Sequence, residues 1–233
     1  MIILAIDIAV LAIIAFCGWR GYRNGLIRGV FGVVTLIVSL LIAGIAANAY
    51  SEEFTDMLDP FVGGIIDSTI GEYRESEAEF DLTKYENESE DFKTAYSTLR
   101  KIGLPESAAA GVSKMVLEED ESGARPGTLS DRIASKLSSV LAFVAVFGIA
   151  FILLAIIFTV IGNLVGFVFS LPGLKIVDIA AGVAFGLAKG LLIVLVLAAV
   201  VRYAGLFAPD TINSTSVLKY FVNNNMVAER IGI

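Results

Sequence analysis

Residues 18–32 read GWRGYRNGLIRGVFG, five glycines and three arginines set between two apolar runs, Met1–Cys17 and Gly29–Ala49. Each run is close to the roughly 20 residues that cross a bilayer as helix, so the stretch reads as the short junction between two membrane spans. Two further apolar blocks, Leu137–Phe169 and Ile176–Val201, complete an expectation of four spans. With 56% hydrophobic residues and a mean hydropathy of +0.79, the 233-residue chain is too apolar for an ordinary soluble domain. A cleaved signal would carry positive charge before its apolar run; MIILAID carries none and the arginines follow, so the first block is expected to remain as a helix. The fold class expected is an all-α integral membrane helical bundle of about four transmembrane helices with a small acidic, helical extracytoplasmic insertion. Its parts are an N-terminal helix pair (1–49), the acidic region (50–134), a second helix pair (135–208) and a tail (209–233).

The chain has one cysteine, Cys17, and no histidine. Intramolecular disulfides, Cys/His zinc sites and histidine acid–base chemistry are therefore excluded. GxSxG, HExxH, P-loop and Rossmann patterns are missing. A carboxylate-only metal site or a serine hydrolase is left open, but the expectation is a protein that is not an enzyme, with no catalytic residue, metal or cofactor. Cys17 reads as a small packing residue, with reversible acylation as the unsupported alternative.

Arg20, Arg23 and Arg28, with no acid nearby, mark an interface facing the cytoplasm by the positive-inside rule. The N-terminus, residues 50–134 and the C-terminus then lie outside. Residues 50–134 hold 20 Asp/Glu and 8 Lys/Arg, a net of −12, and the rest of the chain 4 and 9, a net of +5. An acidic segment of this kind is repelled by nucleic acid, so none is expected as a partner. Residues 51–73 look like two short helical pieces broken at Pro60 and Gly63–Gly64. Phe92, Tyr96, Leu99 and Ile102 form a helical stripe ended by Gly103 and Pro105; a further helix starts near Pro105 or Glu106, and the third apolar block begins near Ser130 or Asp131. These helices read as a cap packed on itself or on the spans, with partner binding as the alternative.

On a helix, Gly21, Gly25, Gly29 and Gly32 share one face and the arginines another. Such a glycine stripe lets a second backbone approach closely. The pattern returns as GVAFGLAKG at 182–190, with GYRNGLIRG at 21–29 sharing GxxxGLx(R/K)G. Gly21, Gly25, Gly29, Gly182, Gly186 and Gly190 are accordingly the expected helix-packing residues, and the chain reads either as two related, parallel hairpins or as a chance match among 22 glycines.

Lys189 has two readings. In a single tilted span from Ile176 to Val201 it lies near mid-membrane, at a cost of about 2.5–3.5 kcal/mol or more. By analogy with Arg28 it instead marks the membrane edge, with residues 161–188 lying along or dipping into the inner leaflet and bending at Gly162, Asn163 and the LPGLK turn. Asp178 and Lys189 lie about 16 Å apart along an unbroken helix, too far to pair. Asp7 is a carboxylate favoured by its own helix dipole or a cation-responsive group. Asp7, Asp178 and Lys189 are the candidate intramembrane polar residues.

The order of Asp7, RGYRNGLIRG, LPGLKIVDIAAGVAFGLAKGLLIV and STSVLKYF resembles the colicin V production protein (CvpA) family, over about 1–50 and 130–221. The match departs from the family at Asp178, where asparagine is expected. The resemblance implies a bacterial inner-membrane protein associated with colicin V production or export, a toxin biosynthetic process, and with envelope maintenance. Two functions compete: a non-enzymatic scaffold or accessory protein packing through its GxxxG faces, and a small oligomeric channel or transporter using Asp7, Asp178 and Lys189. The expected partners are the lipid bilayer and either further copies of the chain or other membrane proteins, with no known small-molecule substrate.

Overall fold

The structure, a computed structural model, describes residues 2–75, 80, 82–121, 127–165, 175–204 and 209–223. Among these it holds α1 (Ile2–Glu75), α2 (Glu90–Lys101), α3 (Glu106–Glu121), α4 (Leu129–Val165), α5 (Lys175–Ala204), α6 (Pro209–Ser214) and α7 (Val217–Asn223), a 3₁₀ turn at Thr83–Tyr85, and no strand. Residues 171–174 of the LPGLK turn and the last ten residues of the tail lie outside the described residues.

α1 is not a rod. Gly25 has φ 74° and ψ −179°, outside helical geometry. Eighteen residues of straight helix would hold Ile14 and Gly32 about 27 Å apart along the axis. Yet Ile14 lies against Gly190 and Gly32 against Lys189, neighbours on α5. The chain therefore reverses at one glycine, giving a first arm (2–24) antiparallel to α5 and a second arm (26–75) parallel to it. Three helices are long and apolar enough to cross a membrane, and the first, folded double, accounts for two of the four passes.

Gly21 and Gly29 both face Gly182, so the first arm starts level with Asn48 of the second. Residues 49–75, about 40 Å of helix, project beyond it. They form one unbroken helix rather than two pieces. Pro60 costs about 3 kcal/mol in a helix interior. Its exposed position leaves the freed carbonyl side open to water, and Val62 and Ile66 on the opposite face are buried among Ile133, Ala134 and Leu137, each contributing about 1.5–3 kcal/mol.

α4 runs antiparallel to this second arm along its length: Gly63 faces Ala134, the Ser130 hydroxyl donates to Asp67, and Gly162 meets Phe31 at the far end. Its start is fixed by a reciprocal cap, in which Asp131 accepts from the Thr128 amide and hydroxyl while its own N–H donates to Thr128. α2 and α3 complete the cap around Phe92, Tyr96, Leu99, Val112 and Val116. Ser89 accepts from the Phe92 N–H at 3.2 Å to start α2, and Gly103, at φ 102°, ends it. Arg202 of α5 donates to the Ser107 carbonyl at 3.1 Å, and Ala199 and Tyr203 are buried in the same core, so the cap is joined to the bundle.

Candidate functional site: a glycine seam tied by two aspartates

The first arm of α1 and α5 meet backbone to backbone. A Cβ on Gly186 would stand 3.0 Å from Gly21 Cα and 3.2 Å from the Cys17 carbonyl carbon; one on Gly190, 2.9 Å from Ile14 Cα; one on Gly182, 2.9 Å from Gly25 Cα. Below 3.0 Å real Cβ atoms essentially never approach backbone, and up to 3.4 Å they seldom do. Each stripe fills the groove of the other, the packing that dispersion rewards where lipid leaves little hydrophobic drive between helices. Gly29 sits across the reversal, where a Cβ would lie 3.0 Å from Phe185 Cβ. All six glycines thus belong to one seam inside a single chain.

At the arginine end of the seam the reversal leaves an amide at the start of the second arm without its helical acceptor. Asp178, in the first turn of α5, supplies it: the Leu26 N–H donates to Asp178 Oδ1 at 2.7 Å. Gly25 is needed twice here, for its positive φ and because a Cβ would fall 2.8 Å from the Asp178 Cγ. Asp178 is a cap acting across 152 residues of sequence. The bond needs an acceptor oxygen, which an asparagine amide also offers.

At the opposite end Asp7 does the same for α7. Its Oδ2 accepts from the Ser216 N–H at 2.9 Å, and its Oδ1 from those of Val217 at 3.0 Å and Leu218 at 3.2 Å. Below this cap, Leu218 and Val222 of α7 and Ile212 of α6 pack with Val10, Val194 and Ala198, seating the short helices on the first arm and α5. Asp7→Ala is expected to release α6 and α7, with a loss of about 0.5–2 kcal/mol, read as faster amide exchange over residues 209–223 while the seam stays protected. Equal exchange in both proteins would show that the apolar contacts alone hold them.

Lys189 follows neither of its two readings in full. α5 runs without a break from Lys175 to Ala204, so the described part of 161–188 that precedes Lys189 on α5 continues straight into the last span, yet the amine shares a cavity with the arginine end. It lies alongside Gly32, where a Cβ would stand in ordinary contact, 3.5 Å from Lys189 Cδ and 3.6 Å from Nζ. Arg20, Arg28, Asn24 and Lys189 line a cavity of about 240 Å³ beside the seam. Arg20, Arg23 and Arg28 are exposed, and Arg23 lies over the Trp19 ring, 5.5 Å from its centroid.

Asp7, Asp178 and Lys189 are not brought together. Asp7 is 18 residues up the first arm from Gly25, about 27 Å of helix, whereas Asp178 is at Gly25 itself and Lys189 lies between. Among the described residues no group of acidic residues, cysteine and histidine is placed to hold a metal ion. The sequence reading missed what the two aspartates hold. STS ahead of VLKYF is a run of helix-capping residue types that signals α7, but nothing local points to its partner at position 7. The shared GxxxGLx(R/K)G pattern is likewise not a shared conformation, because the chain reverses at Gly25 and passes straight through Gly186.

Asp7 with STSVL and Asp178 with the glycine junction tie the two halves of the chain together, and both halves lie within the segments matched in the comparison with known families. No curated protein and no solved structure matches the chain significantly. The sequence model for the colicin V production protein matches residues 6–73 and 124–226, most of the chain, and leaves out the two ends and residues 74–123, which include α2 and α3. The chain, an all-helical membrane protein, belongs to the colicin V production protein family.

Proposed function

We propose that the protein is a non-enzymatic scaffold or accessory protein of the bacterial cytoplasmic membrane, serving toxin export or envelope maintenance through contacts made by its cap. One observation carries this reading. The exposed large apolar residues of α4 run from Ile149 to Ile161, and among the described residues none lies nearer its start. On the second arm of α1 they continue well past the level of Ile149, through Tyr50, Phe54, Met57, Phe61 and Ile65, with Met57 60% and Phe61 71% exposed. This ridge stands on the projecting part of the helix, above the apolar band that the other helices present to lipid. An apolar face there is suited to another protein. The seam glycines face one another, so the partner surface is this ridge. The separation of Asp7, Asp178 and Lys189 leaves the transport reading without a continuous polar path.

The test is the double variant Met57→Glu/Phe61→Glu in cells. It is expected to insert and to keep its thermal midpoint, since exposed substitutions cost within about 0.5 kcal/mol, while losing site-specific cross-links from position 65 and the envelope phenotype. A variant that keeps full function sinks the scaffold reading. The orientation has its own test: on a Cys17→Ser background, an impermeant thiol reagent on intact cells labels a cysteine at Glu86 and not one at Asn24. Labelling at 24 reverses the orientation.

A further inference from the structure

Above the basic cavity lies a second, larger one. It has a volume of about 470 Å³ and is walled by Leu36 of α1, Phe151 and Ala155 of α4, and Ile193 and Val196 of α5. Its rim residues Ile152, Ile156 and Leu197 are exposed, 56%, 57% and 45%, so it opens sideways toward lipid. The two cavities share Thr159, Lys189 and Ile193, which makes them one site with two chemistries. The upper part runs along α5 from Lys189 to Val200, about 16 Å of helix, and its lining is almost wholly apolar. The lower part carries Arg20, Arg28, Asn24 and the Lys189 amine, and among the described residues its wall holds no acidic residue. Among the described residues Lys189 makes no hydrogen bond or ion pair.

We propose that this composite cavity binds one anionic phospholipid of the arginine-side leaflet, its phosphate between Lys189, Arg20, Arg28 and Asn24 and one acyl chain in the groove between α1, α4 and α5. An ammonium group set in the wall of a bundle is stable when an anion meets it, and the exposed arginines lie where headgroups run. A free phosphate would satisfy the cations but leave the apolar groove unfilled. A zwitterionic lipid would fill the groove but place its own cation among three others. The site asks for negative charge and acyl chain in one molecule. It is independent of the ridge at Met57 and Phe61.

The experiment uses the full chain purified in a neutral detergent, with three probes: phosphatidylglycerol, phosphatidylcholine of the same acyl chains, and inorganic phosphate. Native mass spectrometry counts bound lipid, and the thermal midpoint reports occupancy. Phosphatidylglycerol is expected to give one retained adduct and a raised midpoint, and the other two probes neither. Lys189→Gln should weaken that adduct about tenfold or more through loss of a charge-assisted hydrogen bond, with Lys189→Arg restoring much of it. Ile156→Trp, at the groove lip, should also weaken it while the protein stays monodisperse. If Lys189→Gln does not fold, Arg20→Gln/Arg28→Gln at exposed positions takes its place. An equal shift with inorganic phosphate would mean a free-anion site and overturn the lipid assignment. Equal binding of phosphatidylcholine, or an adduct untouched by the cation variants, would overturn it too.

Discussion

Gly186→Leu is expected to leave no folded, monodisperse protein in detergent. The atoms a side chain would strike there are Gly21 Cα and the Cys17 carbonyl, backbone of the facing helix, so no rotamer change relieves the overlap. One extra methylene in a packed core costs about 1–3 kcal/mol, and a leucine at this crossing should exceed the upper figure. Gly186→Ala should fall within that range, as a lowered midpoint. Gly44 supplies the control, since it lies in the second arm of α1 with open space around it. Gly44→Ala should be neutral or should stabilise by up to about 1 kcal/mol, as expected for alanine replacing glycine in a helix. Should the two alanine variants melt alike, the stripes are not in contact in the membrane.

The Asp178 series carries the second large effect. Asp178→Ala is expected to strip the Leu26 N–H of its acceptor, at a cost of about 1–3 kcal/mol, more where water is scarce. Asp178→Asn keeps an acceptor oxygen and should retain most of the stability. Amide exchange at Leu26 gives the direct readout: fast in the alanine variant, slow in the asparagine variant. If both exchange fast, the carboxylate's charge and not its acceptor oxygen holds the turn. Gly25→Ala should fail alongside Asp178→Ala, from a positive φ with extended ψ that is essentially open to glycine only, about 1–3 kcal/mol for a residue with a Cβ, and from collision with the same carboxylate.

Much of this architecture is legible in the chain, for definite reasons. Arginines interleaved with glycines over residues 20–32 mark a membrane junction because lipid excludes the one and helix packing selects the other, but the single helix face expected for the glycines does not exist, since the chain reverses at Gly25. The stripe of Phe92, Tyr96 and Leu99, stopped by Gly103, marks α2 because its signals are local. What escaped the reading depends on distant partners. The continuity of the helix over residues 50–75 comes from α4 packed alongside, which overrides Pro60. The junction is a one-residue reversal because Asp178 caps it from 152 positions away. That the two glycine stripes fill each other follows from an antiparallel crossing that no periodicity within either stripe encodes. Lys189 looked like either a mid-span charge or an edge marker. A flexible side chain on an unbroken α5 lets its backbone sit within the span while its amine lies beside Gly32.

The reversal at Gly25 also bears on the order in which the molecule can be built. A chain made from its N-terminus presents residues 2–75 to the membrane first, as two arms joined at a glycine that prefers no single geometry. The amide that must be satisfied there, and the groove that must be filled, wait for residues 178–190, which are among the last to enter. The first hairpin therefore cannot mature alone, and its completion depends on a contact of very high sequence separation. A chain halted before α5 would hold four cap and span helices around an unfilled glycine face, a product for degradation and not a smaller working unit.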